Sequence, residues 1–415
     1  MPATNSKAHA SPAPRAGAAA DAAAQAETDA RPAAQAGARA RRVSPRPSGG
    51  RRVWFQVHLW LGWLTALPLL AVCVTGVLLS FEKELYAWEQ PEHYALQPTD
   101  DPMTLPEVLE MLAAASLHIN HLEIPDDPHH AYLAFANGRA PDGQNRGLRA
   151  YVDPYRRVLT HEWENPTLAR RLEVWHRTLG AGPTGRWIVG VSSALLALIS
   201  LAGLVLWWPM RRGTLRRFSR QRRALDWHNV AGVAALLPLV ILAVTGITFT
   251  WGGDVFPVVD EWTGRPSNPV VPRLAPAPAG EATADRVSLA DTARHVMATY
   301  PDWQIRGVQD ARPASPVPYK FMLRDPAALI PHPSLHLYFD PRTGAEIGRW
   351  EAASGGAVGL YRRTFYVLHT GHPFPTWARG GWALMSAAGA LLVLTGCWIS
   401  LRRWFGRTGG RAGAA

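Results

Sequence analysis

The sequence contains almost no cysteine and lacks several motifs that mark soluble enzymes. Its 415 residues include two cysteines, Cys73 and Cys397, and both fall within apolar stretches, so no disulfide is expected in the segments between those stretches. No G-x-G-x-x-G motif follows a predicted strand, and the segments between the apolar stretches contain neither G-x-S-x-G nor H-E-x-x-H. These absences argue against a nucleotide-binding domain, a serine hydrolase and a zinc protease.

Charged residues are missing from four long apolar stretches of the chain. Each stretch exceeds the roughly 18 residues needed to cross a hydrocarbon core about 30 Å thick. We therefore predict an α-helical membrane protein in a lipid bilayer, with a bundle of four transmembrane helices. The predicted spans are 53–82, 186–210, 226–252 and 380–402.

The net charge of +11 comes largely from arginines that cluster beside the predicted spans. The loop RRGTLRRFSRQRR at 211–223 joins the second and third spans, and further arginines flank the first and fourth spans. The positive-inside rule then places this loop and both termini in the cytoplasm of a multi-pass protein of the bacterial inner membrane, with two large segments outside. Because membrane topology accounts for the position of these basic residues, they do not indicate a nucleic-acid partner, and none is expected.

The two large segments, at 83–185 and 253–379, are predicted to be extracytoplasmic α+β domains. In each, a capping box opens an apolar-periodic helix, at Thr104 and at Ser288, and strand-like runs and an Asp-Pro turn follow. The remaining segments are predicted to be a disordered cytoplasmic tail at 1–50, a basic cytoplasmic loop at 211–225 and a cytoplasmic tail at 403–415.

The first and third spans repeat one another. Five pairs of residues match at one constant offset along the chain: His58/His228, Gly62/Gly232, Pro68/Pro238, Thr75/Thr245 and Gly76/Gly246. The second and fourth spans correspond through His176 and His369, which precede Gly203 and Gly396 by the same distance along the chain. This pattern indicates an internal duplication. Two copies in the same orientation imply a pseudo-twofold axis along the membrane normal, which places equivalent residues at equal depth.

The duplicated histidines predict two ligand sites. His58 and His228 lie near the cytoplasmic ends of their spans, whereas His176 and His369 precede spans that enter from outside. A lone histidine at a helix end is most often a hydrogen-bonded interfacial residue, but a duplicated bundle brings each histidine opposite its equivalent. We therefore expect one pair at each surface of the membrane. His372, close to His369, is an alternative ligand at the outer site.

Haem suits two facing histidines better than zinc does. Zinc takes four ligands, and the charge-free stretches at 53–81, 187–210, 227–253 and 380–401 contain no Asp or Glu to supply the missing ones. A haem macrocycle supplies four nitrogens itself and needs only two axial ligands. Gly62 and Gly232 lie one helical turn after His58 and His228, where the lack of a side chain leaves room for a flat macrocycle or for a closely packed helix.

The chain resembles the PepSY-associated transmembrane family over about residues 50–405. The resemblance is carried by H-x-x-x-G and T-G in the first and third spans, W-H-R-T-L-G and L-W-W-P-M-R-R around the second, and L-H-T-G-H before the fourth. It implies an iron-regulated inner-membrane protein, and some members are ferric-siderophore reductases with two b-type haems. Carried over to this sequence, the resemblance suggests the haem ligands His58, His228, His176 and His369.

We therefore predict a di-haem oxidoreductase that passes electrons across the membrane to a ferric siderophore or other ferric chelate. The electrons would come from a separate cytoplasmic reductant or from a quinol, because the cytoplasmic loops are too short for a flavin or nicotinamide domain. The alternative is a non-enzymatic PepSY-type binding or regulatory protein in which the histidines are structural. A transporter is disfavoured because the spans show neither discontinuous helices nor charges at mid-membrane.

Overall fold

The protein is described by a computed structural model that covers residues 49–139, 143–163, 167–211, 223–274, 286–311 and 317–408. Most of the predicted tail at 1–50, most of the predicted basic loop at 211–225, and residues 409–415 lie outside the described residues.

Eleven α-helices and eight strands are assigned in the described residues. In chain order the helices are α1 (Gly49–Leu79), α2 (Glu82–Glu89), α3 (Pro91–Tyr94), α4 (Leu105–Ala114), α5 (Leu168–Thr178), α6 (Gly182–Trp207), α7 (Arg223–Ala234), α8 (Leu236–Thr263), α9 (Leu289–Thr299), α10 (Gly356–Thr370) and α11 (Thr376–Thr408). The strands are β1 (Ile119–Glu123), β2 (Tyr132–Arg139), β3 (Asn145–Asp153), β4 (Val158–Trp163), β5 (Gln304–Gln309), β6 (Tyr319–Arg324), β7 (Leu335–Phe339) and β8 (Glu346–Glu351).

Four helices are long and apolar enough to cross a membrane: Gly49–Leu79, Gly182–Met210, Leu236–Thr263 and Thr376–Phe405. Large apolar side chains stand out from them into the surroundings, among them Leu67 (78% exposed) and Leu384 (72% exposed). Apolar surface of this extent is typical of helices that face lipid. The protein is therefore a multi-pass membrane protein, as predicted.

The third predicted span is not one continuous helix. It is divided at Ala235 into α7 and α8, close to Pro238, which has no N–H to donate to the carbonyl of Ala234. The helix then continues to Thr263, past the predicted boundary at 252. The expectation of uninterrupted spans was therefore wrong here, although Pro68 lies within α1 without ending it.

The second span is also preceded by a break. Helix α5 ends at Thr178, and Leu179 and Gly180 have left-handed φ values of 50° and 72° before α6 begins. A Cβ at Gly185 would lie 1.6 Å from the carbonyl oxygen of Thr178, so the close return of α6 past the end of α5 requires glycine there. The break leaves His176 on a short helix of its own, outside the span.

All eight strands join in one antiparallel sheet of order β4-β3-β2-β1-β5-β6-β7-β8. The first four strands and the last four form two meanders, which meet where Leu122 pairs with Val308 and Glu123 with Gly307. The prediction of two separate outer domains was therefore wrong, because the two edge strands pair with each other. The pairing satisfies backbone groups that two small sheets would each leave at an open edge.

Helices α4 and α9 cover one face of this sheet, and a single apolar core lies beneath them. Val108 and Leu112 from α4 and Val296 from α9 meet Leu122 and Phe321 from the strands, all fully buried. The predicted starts of both helices are confirmed. Thr104 forms a capping box, and the Ser288 side chain accepts a hydrogen bond from a backbone N–H in the first turn of α9.

Candidate functional site

The structure brings the four candidate histidines together in two pairs. The ring centroids of His58 on α1 and His228 on α7 are 6.1 Å apart, with ring planes at 87°. The centroids of His176 on α5 and His369 on α10 are 6.0 Å apart, with ring planes at 71°. We call these the loop-side pair and the sheet-side pair, because α7 follows the 211–223 loop and α5 and α10 follow the ends of the sheet.

The neighbours of the sheet-side pair fix which nitrogen of each ring carries the proton. Thr75 Oγ1 donates its only proton within α1, to the carbonyl of Ala71 at 2.8 Å. It can therefore only accept from His176 Nδ1, which lies 3.0 Å away. Thr245 repeats the arrangement: it donates to its own helix and lies 2.8 Å from His369 Nδ1.

The loop-side pair is fixed in the same way. His58 Nδ1 lies 3.1 Å from the carbonyl oxygen of Ile199, which can only accept. His228 Nδ1 lies 2.9 Å from Thr395 Oγ1, whose proton goes to the carbonyl of Leu391 at 2.6 Å. In neutral imidazole one nitrogen is a donor and the other an acceptor. All four rings are thus held as Nδ1–H tautomers, with the lone pair on Nε2.

The two Nε2 lone pairs of one pair cannot hydrogen-bond to each other. None of the hydrogen bonds between side chains in the described residues uses Nε2 of these four histidines. An electrophile between the two rings would satisfy both lone pairs. Metal ions do this, and the Nδ1–H bond to an oxygen is the usual device that orients a histidine ligand.

A glycine makes room for each ring on the helix that it faces. A Cβ added at Gly203 or at Gly396 would lie 3.3 Å from Cε1 of the loop-side histidine opposite, and one at Gly76 would lie 3.3 Å from Cε1 of His176. At Gly246 the distance to the corresponding atom of His369 is 3.8 Å. The ring therefore packs against bare backbone in all four cases.

Gly62 and Gly232, predicted to leave room for a macrocycle, do not contact the rings in this way. A Cβ at Gly62 would have no atom within 4 Å, and one at Gly232 would contact only Leu392 Cδ2, at 3.5 Å. The glycines that contact histidine belong to the same repeat but were not assigned this role. The signal that could have found them is the repeated Thr-Gly of the first, third and fourth spans, at Thr75, Thr245 and Thr395.

The spacing within each pair fits a single hexacoordinate metal. With metal–nitrogen bonds of about 2.0–2.1 Å, and roughly 1 Å from ring nitrogen to ring centre, two axial imidazoles have centroids about 6 Å apart. The observed 6.1 and 6.0 Å agree with this value. Within the described residues, neither pair belongs to a group of three or more metal-ligating side chains. The donor set therefore fits a haem, which brings its other four ligands, better than zinc.

His372 is not part of either pair. Its ring lies against Tyr366, with centroids 6.3 Å apart, and its backbone N–H donates to Thr370 Oγ1. Of the two histidines in the L-H-T-G-H motif, His369 is therefore the one that faces His176.

A polar band lies between the spans and the sheet. Arg379, which is 3% exposed, donates to Glu84 Oε2 at 3.0 Å and to the carbonyl of Ser80 at 2.9 Å. Burial raises the pKa of the nearby Glu82 to about 7, and the charge of Glu173 adds to this shift. Glu82 therefore exchanges protons near neutral pH, one helical turn from the end of α1.

The second face of the sheet, opposite α4 and α9, is rich in titratable and aromatic side chains. Burial lowers the pKa of His121 to about 4 and that of His336 to about 3, and the charge of Lys320 contributes to both shifts. Burial also lowers the pKa of Lys320. His336 packs against Trp350, with ring centroids 5.3 Å apart. At neutral pH both histidines are therefore uncharged.

Comparison with known proteins identifies a family. No curated protein is similar enough to the chain to count as a match. The family described as PepSY-associated TM region matches residues 55–403, a stretch that takes in both histidine pairs and the whole eight-stranded sheet. The chain therefore belongs to the PepSY-associated TM family.

Proposed function

We propose that the protein is a di-haem electron-transfer protein of the bacterial inner membrane, which reduces a ferric siderophore or other ferric chelate on the side of the sheet. His58 and His228 would hold one b-type haem, and His176 and His369 the other. The observation that carries this proposal is the spacing of the two histidine pairs, in which Nδ1 of every ring lies within hydrogen-bond distance of an oxygen. The ring centroids in each pair are about 6 Å apart, and within the described part of the chain no hydrogen bond between side chains uses Nε2 of these rings.

The arrangement of the pairs supports transfer across the membrane. Helix α1 carries His58 in its first third and, near its other end, Thr75, which holds His176. Helices α7 and α8 place His228 and Thr245 in the same order. We infer that this matched order comes from duplication of a two-span unit with a pseudo-twofold axis along the membrane normal, so that the two sites lie near opposite surfaces.

A haem bound at each pair would supply one-electron chemistry. The chain's own residues would hold the ring protons at Nδ1 and pack each ring against a glycine backbone. Beyond the sheet-side pair, Glu82 supplies a group that takes up or releases a proton near pH 7. The second face of the sheet offers aromatic and cationic side chains to a chelate, among them Lys320 and Trp350.

The donor is proposed to be a separate cytoplasmic reductant or a quinol. The positive-inside rule places the 211–223 loop, and with it the loop-side pair, on the cytoplasmic side. The electron would enter there and leave from the sheet-side pair. Reduction weakens a siderophore's hold because its hard oxygen ligands prefer ferric to ferrous iron, so iron is released from the chelate.

Absorption spectroscopy of the purified protein tests this proposal. We expect a reduced-minus-oxidised spectrum of b-type haem, with two haems per chain after haem-replete expression. His58→Ala should remove the loop-side haem alone and His176→Ala the sheet-side haem alone, whereas His372→Ala should retain both. A colourless wild-type protein would contradict the proposal and leave the binding or regulatory alternative.

A further inference from the structure

A second group of metal-ligating side chains, made of residues other than the paired histidines, lies at the β4 edge of the sheet. Glu92 and His93 on α3 and Glu162 on β4 each offer one ligand atom, and these atoms lie within 4.8 Å of one another. It is the one group of three or more such side chains found in the described residues. We propose that it is a site for a divalent transition-metal ion of the Fe²⁺, Mn²⁺ and Zn²⁺ class.

His93 is the residue that points to a ligand. It is 5% exposed, and its ring stacks face to face on Tyr151, with centroids 3.8 Å apart and planes at 4°. None of the hydrogen bonds found in the described residues uses the ring, and Nε2 is 3.6 Å from Glu162 Oε1. The 3.6 Å separation is longer than a hydrogen bond but within the distance of an ion pair. The stacking nevertheless holds Nε2 toward the carboxylate.

The Glu162 carboxylate is held in place by a second layer of contacts. Gln90 Nε2 donates to Glu162 Oε2 at 3.1 Å, and the Tyr151 hydroxyl donates to Gln90 Oε1 at 3.4 Å. Oε2 is thus engaged, and Oε1 faces His93. Tyr151 therefore orients two of the three ligands, one by stacking and the other through Gln90. Such outer contacts are characteristic of metal sites, where they fix the direction of the ligand atoms.

The spacing suits a small metal ion. Two ligand atoms about 2.0–2.1 Å from one ion, at a tetrahedral angle, are about 3.4 Å apart. The observed 3.6 Å between His93 Nε2 and Glu162 Oε1 needs only a small closing movement. A mixed nitrogen and carboxylate set favours Fe²⁺, Mn²⁺ or Zn²⁺ over Ca²⁺ and Mg²⁺, which prefer oxygen ligands. Glu92 is exposed, so water can complete the coordination and the ion can exchange.

The neighbouring charges limit the affinity. Arg149 is the cross-strand partner of Glu162, and its positive charge at the same edge opposes a cation. The second half of the sheet has no such group of metal-ligating side chains among its described residues. There, the cross-strand pair that corresponds to Arg149 and Glu162 is His336 and Trp350. We therefore expect one weak, exchangeable site per chain. Ferrous iron is one of the ions that this site would bind, and binding there requires neither haem nor turnover.

Zinc titration of the full-length protein in detergent tests the site, after removal of adventitious metal with a chelator. Isothermal titration calorimetry with Zn²⁺ alone should show a binding event of micromolar affinity that Glu162→Gln and Glu92→Gln each weaken at least tenfold. Glu92 is exposed, so its replacement should not affect folding. His118→Ala removes a histidine of the same domain, whose side chain is 70% exposed, and should change nothing.

Two results would overturn the proposal. One is wild-type Zn²⁺ affinity in both glutamate variants, which would mean that any bound zinc lies elsewhere. The other is the absence of zinc binding, which would mean that the contact between His93 and Glu162 is only structural. Because haem content is read separately from the absorption spectrum, failure of this site and failure of the di-haem proposal can be told apart.

Discussion

Thr75 provides a direct test of how the sheet-side pair is held. Its hydroxyl accepts the Nδ1–H of His176 at 3.0 Å while donating to its own helix. Thr75→Val keeps the shape of the side chain and removes the oxygen. His176 then loses its hydroxyl partner, although the Val72 carbonyl remains close enough to accept from the ring. The substitution therefore weakens the hold on Nδ1 without emptying the site.

The size of the effect follows from the hydrogen bond lost. A buried donor left without a partner costs about 1–3 kcal/mol, and the remaining Val72 carbonyl places the loss near 1 kcal/mol. An accepting oxygen at Nδ1–H makes the imidazole a stronger ligand, which favours the more highly charged ferric state. If this whole free-energy difference destabilises the ferric state, the midpoint potential of the sheet-side haem rises by up to about 40 mV. The conversion is about 59 mV for each tenfold change in the equilibrium constant of a one-electron couple.

Spectroelectrochemical titration of the two haems measures this shift. Thr65→Val is the matched control, because Thr65 is 2% exposed on the same helix and donates to the Leu61 carbonyl at 2.8 Å without contacting a histidine. We expect the sheet-side potential to rise in Thr75→Val and both potentials to stay unchanged in Thr65→Val. Equal shifts in the two variants, or no shift in Thr75→Val, would refute the role given to this hydroxyl.

Two further predictions concern packing and pH. A Cβ at Gly190 would lie 2.5 Å from Thr250 Cγ2, so Gly190→Ala should overpack α6 against α8 and cost about 1–3 kcal/mol, seen as a lower unfolding temperature in detergent. Burial lowers the pKa of His336 to about 3, below its unfolded value, so its contribution to stability is present above about pH 6.5 and lost as pH falls. His336→Gln should therefore flatten the loss of stability between pH 6.5 and 5 by about 1–2 kcal/mol, measured from denaturant unfolding followed by far-UV circular dichroism at each pH.

Each of these predictions has its own contrary outcome. Gly253→Ala lies on α8 with no atom within 4 Å of the added Cβ, so it should not destabilise the protein. An equal loss in Gly253→Ala and Gly190→Ala would mean that close helix packing is not the cause. For His336, parallel stability curves of the wild type and His336→Gln from pH 7.5 to 5 would show that this ring has the same pKa in the folded and unfolded states, so that burial does not hold it neutral.

The spans and the pairing of the histidines could be predicted because each has a strong local signal. The absence of charge marks the spans, and the same constant offset that relates the other matched pairs links His58 to His228. The division at Ala235 could not be told apart from the intact first span, because Pro68 and Pro238 match in the repeat and yet only the second lies at a helix boundary. Packing around each proline decides this, and one sequence does not contain that information.

The joining of the two half-sheets could not be read from the sequence either. Strand β1 precedes the second span and β5 follows the third, so the two strands are far apart in the chain. Neither strand has a sequence pattern that identifies the other as its pairing partner. The outermost strands, β4 and β8, were not predicted at all. Both are edge strands with charged and exposed residues, so the alternation of apolar and polar residues that marks a half-buried strand is weak in them.

The sheet and the sheet-side pair depend on each other, whereas the loop-side pair does not depend on the sheet. Strand β4 leads into α5 and its His176, and β8 leads through a short 3₁₀ helix into α10 and its His369. The helices that carry His176 and His369 thus follow the two outer strands of one sheet. The pairing of β1 with β5 at the centre of the sheet helps to set the distance between the two rings. His58 and His228 are instead positioned by Ile199 and Thr395 on other spanning helices. Movement of the sheet would therefore alter the pair nearest the proposed acceptor and leave the pair nearest the donor in place.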